Sequence, residues 1–112
     1  MSHITISQAS ELIWDLLKTL EDCYWEASSC KEKDQVFNLI QILNAEYMEL
    51  AKVSIQDHHY EYEVITTSQE MLQQTLIEFQ QISSNITHRH TTAVRLRKLL
   101  NRMASNLAGS HG

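Results

Sequence analysis

TSQEMLQQTLIEFQQISSNITHRHTTAVRLRKLLNRMASNL, residues 67–107, is the stretch that decides how this chain folds. It opens on Thr67-Ser-Gln-Glu70, a helix-start pattern in which a hydroxyl and an acid three residues on can satisfy backbone N–H groups. Neither proline nor glycine interrupts it before Gly109. Its apolar residues fall at Phe79, Ile82, Ile86, Ala93, Leu96, Leu100, Met103 and Leu107. The gaps alternate near three and four, which marks one buried stripe of a helix.

The same stretch carries the strongest charge asymmetry in the chain. Residues 1–78 hold four lysines and fourteen acids, net −10, whereas residues 79–112 hold four arginines, one lysine and no acid, net +5. Opposite charges favour neighbouring helices, so the first reading is an acidic half packed on a basic helix within one domain. The second is a basic surface that meets an anionic partner.

Length and composition narrow the fold. A chain of 112 residues fits a single domain over residues 1–112, because domains commonly run about 100–150 residues. There is no proline, and glycine occurs only at 109 and 112. Tight β-turns draw on those residues, so an all-β fold is disfavoured and an all-α one expected. Cys23 and Cys30 are too few for a disulfide framework and do not form a C-x-x-C pair, which points to free thiols in a reducing, cytoplasmic setting. Met1-Ser-His-Ile lacks the features of a secretory leader. No apolar run approaches the ~18–20 residues that span a bilayer.

Upstream, residues 1–6 read as a short arm, with Thr5 and Ser7 as candidate N-caps. A first helix is expected from about residue 8 to 27, with Leu12, Ile13, Leu16 and Leu20 on its apolar face. Trp14 and Trp25 lie eleven residues apart and point nearly the same way, well off that face. Either further helices of the domain cover them, or they form an interface with a partner or a second copy. Ser29 and Glu32 have capping-box spacing and start a second helix. Its seam reads as Val36, Ile40, Leu43, Tyr47, Leu50 and Ala51, with Phe37 and Leu39 on the flanks.

After Val53 the signal weakens, and two architectures remain: an antiparallel bundle or a long helical hairpin, with three to four helices. In the hairpin, the second helix continues to about Ile65 and residues 67–107 form one helix of ~60 Å, a form that almost requires dimerisation. In the bundle, four helices at roughly 8–28, 32–54, 60–83 and 87–107 pack up and down, with Asn85 or Thr87 capping the last. The cap at Thr67 and the unbroken stripe tilt the balance to the hairpin. Residues 108–112 read as a flexible tail, with Gly109 as C-cap.

Chemistry-bearing residues are few. His58 and Glu61 share a helical side and would be the first ligands of a metal site, but a di-iron bundle needs two Glu-x-x-His repeats and two further glutamates. Neither a metal nor another cofactor is expected. Arg95, Lys98 and Arg102 form a basic stripe opposite Leu96, Leu100 and Met103. It would suit phosphates, yet no helix-turn-helix, zinc-finger or RNA-binding signature accompanies it. The expected role of the stripe is to face acids such as Asp15, Asp22 and Glu26, or an acidic partner helix. No Gly-x-Ser-x-Gly elbow or phosphate loop is present, so enzyme activity is not expected.

What remains is a protein-binding adaptor or chaperone that packs helix-on-helix against a partner's amphipathic helix, or against itself as a homodimer. Trp14, Trp25, Leu96, Leu100 and Met103 are the expected binding residues. Size, acidity and all-helical makeup resemble the small chaperones of flagellar and type III secretion systems. That resemblance implies binding of a secreted subunit until export. The alternatives are a nucleic-acid-associated regulator using the basic stripe and a metal-binding helical bundle.

Overall fold

Thr5 starts the first helix. Its hydroxyl accepts from Gln8 N at 3.1 Å, and Gln8 Oε1 accepts from Thr5 N at 3.0 Å, a reciprocal capping box. The computed structural model describes residues 4–109, and the side chains of all of these except 108 and 109. Helix α1 spans Ile6–Glu26, two residues earlier at its start than expected. Its next two amides have no intrahelical partner, and the chain supplies one from afar: Ile6 N donates to Tyr60 O at 2.9 Å and Ser7 N to His58 O at 3.1 Å. Tyr62 N donates to Ile4 O at 2.8 Å, so residues 4–7 are laced to residues 58–62, and residues 1–3 of the expected arm lie outside those described.

Helix α2 spans Cys30–Ala51 and is capped by Ser29, whose Oγ accepts from Glu32 N at 3.2 Å. The Glu32 carboxylate turns one residue further back than a capping box requires and takes Ser28 N and Ser28 Oγ, both at 2.9 Å. Those bonds, led by the Ser28 backbone, hold its carboxyl below the ordinary 4.5. Residues 52–68 follow, with one 3₁₀ turn at Ile55–Asp57. Helix α3 spans Gln69–Ile86 with Ser68 as its cap, and α4 spans His90–Gly109. The expected tail overlaps α4 at 108–109, and its residues 110–112 lie outside those described.

The four helices form a ring in which α1 packs on α2 and α4, and α3 packs on α4 and α2. Connections of three residues, 27–29 and 87–89, make the α1–α2 and α3–α4 pairs antiparallel. The fold is thus an all-α four-helix bundle, and the long hairpin is not formed. The longest dimension is 42 Å, short of the ~60 Å a single 67–107 helix would need. The stripe keeps its phase through residues 83–93 because both halves feed the same core, so periodicity alone could not reveal the reversal between them. Leu16, Leu20, Leu43, Leu50, Leu76 and Leu100 have no exposed surface and mark that core.

Helix α2 departs from the expected seam. Leu39 is in the core rather than on a flank, Ala51 is exposed, and Glu46 is completely buried. The Glu46 carboxylate takes four donors: Tyr62 Oη at 2.6 Å, Ile65 N at 2.8 Å, Thr66 N at 2.9 Å and Thr66 Oγ1 at 2.7 Å. A buried charge is tolerable when its lone pairs are filled in this way. It fastens the long connection to α2. Burial, then the bond to Glu46, pushes the Tyr62 hydroxyl well above its ordinary range, so it stays a donor.

Candidate protein-binding surfaces

Two surfaces carry more apolar area than the bundle covers. The first is the outer face of the α1–α2 hairpin. Trp14 and Trp25 are 46% and 73% exposed, so no further helix of the domain covers them. Phe37 and Met48 of α2 join them at 47% and 56%. The rings are held rather than loose. Trp14 stacks on Tyr47 with centroids 5.6 Å apart, under Lys18 Nζ at 5.3 Å. Tyr24 meets Trp25 edge-on at 5.3 Å. Lys33 Nζ lies 4.6 Å from the Tyr24 ring and 5.5 Å from the Trp25 ring, and donates to Tyr24 O at 3.0 Å. One lysine thus satisfies a carbonyl in the last turn of α1 and seats both aromatics. Between the Trp14 and Trp25 ends lies a shallow depression of about 500 Å³ that includes Leu17, Ile40, Asn44 and Arg95.

The second surface is the seam between α2 and α3, the least closely packed of the four neighbouring pairs. A depression of about 630 Å³ lies there, walled by Ile42 and Ala45 of α2 and by Met71 and Thr75 of α3. A further one of about 310 Å³ continues it past Thr75 to Phe79 and Ile82, sharing Asn38 and Ile42. Leu39, Leu72 and Phe79 form its apolar floor. Among the described residues no lysine or arginine lines either depression, and Glu78 is the one charged lining residue. Thr66, held by Glu46, closes one end. Nothing in the sequence signalled this seam, since helical periodicity places Ile42 and Ile82 beside the core without saying how far apart their helices stand.

The remaining expected binding residues are elsewhere. Leu96, Leu100 and Met103 are 1%, 0% and 0% exposed. They pack the bundle core, so the wall expected to meet a partner is filled by the chain's own helices. Arg95, Lys98 and Arg102 are exposed along α4 and make no ion pair among the described residues. Of the acids expected to face them, Asp22 shares the α1–α2 depression with Arg95. Glu26 meets α4 at its start instead. Its carboxylate accepts from His88 N at 2.9 Å, Arg89 N at 3.0 Å and Thr92 Oγ1 at 2.6 Å. Desolvation pushes its carboxyl up, but the bonds from Thr92, Arg89 and His88 outweigh it and hold the group below the ordinary 4.5. Neither Asn85 nor Thr87 caps α4: Asn85 lies within α3 and Thr87 is the C-cap of α3, and Glu26 supplies the acceptor from another helix.

His58 and Glu61 lie in the long connection, not on a helix. His58 Nε2 is 3.1 Å from Val53 O, so that nitrogen is engaged with the backbone. Among the described residues no three His, Cys, Asp or Glu side chains come together in a way that could hold a metal ion. Cys30 is exposed, whereas burial, then the charges of Glu26 and Glu32, pushes the Cys23 thiol up to about 12. None of the helices, among the described residues, is long and apolar enough to cross a membrane. A scan against protein-family models, a search of the curated proteins and a search of the solved structures each find no match to this chain.

Proposed function

We propose that this protein is a small adaptor or chaperone that shelters an amphipathic helix of a partner protein in the α2–α3 seam. The observation that carries the reading is the seam itself: an apolar trough left open between two helices of an otherwise closely packed bundle. Its α2 wall runs from Gln35 to Ala45, ten residue steps or about 15 Å, room for about three helical turns. A helix laid there would place apolar residues at i, i+4 and i+7 between Ile42 and Met71, the usual helix-in-groove arrangement. Met71, 62% exposed and unbranched, adapts to different side chains. Glu78 and the absence of a lining cation favour a client helix with lysine or arginine on its flank. A secreted or assembling subunit whose apolar helix face must be covered beforehand is the client class that fits.

The test is capture of client from the native host's lysate by wild-type protein and by the Ala45→Arg and Thr75→Arg variants. Ala45 is exposed and Thr75 half-buried, so either arginine fills the trough without entering the core. Loss of a stoichiometric helical client with both variants, at unchanged helicity, is the expected outcome. A client retained by both, or released only by Trp14→Ala, places binding on another face and refutes the seam. Recovery of nucleic acid alone would move the function to the stripe of Arg95, Lys98 and Arg102.

A further inference from the structure

The outer face of the α1–α2 hairpin has a pattern that points to its occupant. Along α1 the outward row is Trp14, Lys18, Glu21 and Trp25, at steps of four, three and four. Along α2 it is Phe37, Gln41, Asn44 and Met48, at the same steps. All eight side chains are exposed. Each row reads large apolar, polar, polar, large apolar, with the spacing of a coiled-coil seam. Each is therefore complementary to its own reversal. Turned end for end, the α1 row sets Trp14 on Trp25, Lys18 on Glu21, Glu21 on Lys18 and Trp25 on Trp14. The α2 row sets Phe37 on Met48 and Gln41 on Asn44.

We propose that this face pairs with a second copy of the chain, about a two-fold axis that crosses the helices at mid-length. For both rows to reverse about one axis, their midpoints must stand at one level. The Trp14–Tyr47 ring contact, with residues 14–22 of α1 and 40–44 of α2 lining one depression, sets the midpoint of 14–25 near residues 41–42. The midpoint of 37–48 lies about one residue rise, ~1.5 Å, away. Charge complementarity follows from the symmetry: Lys18 of each copy meets Glu21 of the other, and neither makes an ion pair within its own chain among the described residues. Such isologous pairing closes on itself and yields a dimer rather than a filament.

Reversal about the midpoint of 14–25 overlaps α1 with its copy over residues 13–26, about 20 Å. Two helices side by side over that length present on the order of 400 Å² per copy, about 800 Å² in all, the size of a weak, reversible interface. Tryptophan and methionine are enriched in such interfaces; here they stand at the ends of the rows, with the Lys18–Glu21 pairs nearest the axis. Gln41 also lines the α2–α3 depression, so the dimer face borders that seam along one edge; the pairing itself does not depend on the adaptor reading.

Sedimentation velocity across a concentration series tests the proposal. The wild-type chain should reach twice its 13.0 kDa mass. Lys18→Glu and Glu21→Lys each replace two attractions across the axis with two repulsions and should weaken association on the order of tenfold. The double variant restores opposite charges and should recover it, and the two single variants mixed should form a heterodimer. Trp25→Ala gives a second readout at a side chain already 73% exposed in the single chain, and must weaken the same equilibrium. A monomer at every concentration overturns the proposal. So does a dimer indifferent to these changes, or a double variant no better than either single one.

Discussion

Replacing Glu46 by leucine removes the acceptor that fastens residues 62–66 to α2. The four donors on it lie 2.6–2.9 Å away, and each bond to a charged acceptor is worth about 1.5–3 kcal/mol when its partner is left unsatisfied. The loss is smaller than four times that figure. The bonds from Ile65 and Thr66 are only part-buried, so water can reach their donors, whereas the Tyr62 hydroxyl bond is buried. The new leucine also recovers about 1.5–2 kcal/mol of apolar burial. A net destabilisation of about 3 kcal/mol results, within the range for breaking a buried charge network. For a chain of this length that lowers Tm by about 10–15 °C. Thermal and urea unfolding give the magnitude, and amide hydrogen exchange gives the place. Protection should fall first at Ile65 and Thr66, while the middle of α1 holds. Tyr62→Phe, which deletes the one fully buried bond and keeps the ring, should cost about 1.5–3 kcal/mol. A Glu46→Leu protein as stable as wild type, with Ile65 and Thr66 still protected, would refute the reasoning.

Further outcomes follow from the other polar clasps and from the core. Glu26 has a depressed carboxyl pKa in the folded chain, so its contribution is complete above 4.5 and disappears as pH falls through the lower folded value. Acidification should therefore release the His88 and Arg89 amides to exchange, and Glu26→Gln should release them at neutral pH and flatten that pH dependence. Leu100→Ala should cost about 3 kcal/mol in urea unfolding, whereas Trp25→Ala should stay within about 0.5 kcal/mol under monomeric conditions, because one side chain is wholly buried and the other 73% exposed. Native alkylation at pH 8 should label Cys30 alone. Modification of Cys23 at a similar rate would contradict its burial and its pKa near 12.

The helices were legible wherever a local signal was strong. Thr5 and Ser29 are hydroxyl caps within three residues of the amides they satisfy, and Ser68 caps α3 one residue after the expected Thr67. Leucines three and four apart mark each buried stripe. The break at 87–89 was indistinct because its stabilising partner, Glu26, lies 62 residues away from His88. The connection at 52–68 read as a weak helix because it contains no breaker. What shapes it is Glu46, together with the arm residues Ile4, Ile6 and Ser7. An acid in a core row is also the substitution that hydrophobic patterning treats as an interruption, which is why Leu39 read as a flank residue and Glu46 was not recognised in the core row of α2. Of the expected binding residues, Trp14 and Trp25 are exposed and Leu96, Leu100 and Met103 are not, since a stripe has the same period whether a partner or the chain itself covers it.

By itself, the sequence determined what depends on neighbours along the chain: all-helical structure, the hydroxyl caps at Thr5 and Ser29, and a tryptophan pair off the leucine face. Tertiary structure decided what depends on residues far apart: four helices rather than a hairpin, which apolar rows meet each other, and the width of the α2–α3 seam. The physical reason is the range of the forces. A hydroxyl cap or a 3.6-residue period acts within one or two turns, whereas a buried carboxylate such as Glu46 or a bridging one such as Glu26 acts only after the chain has brought its donors to it.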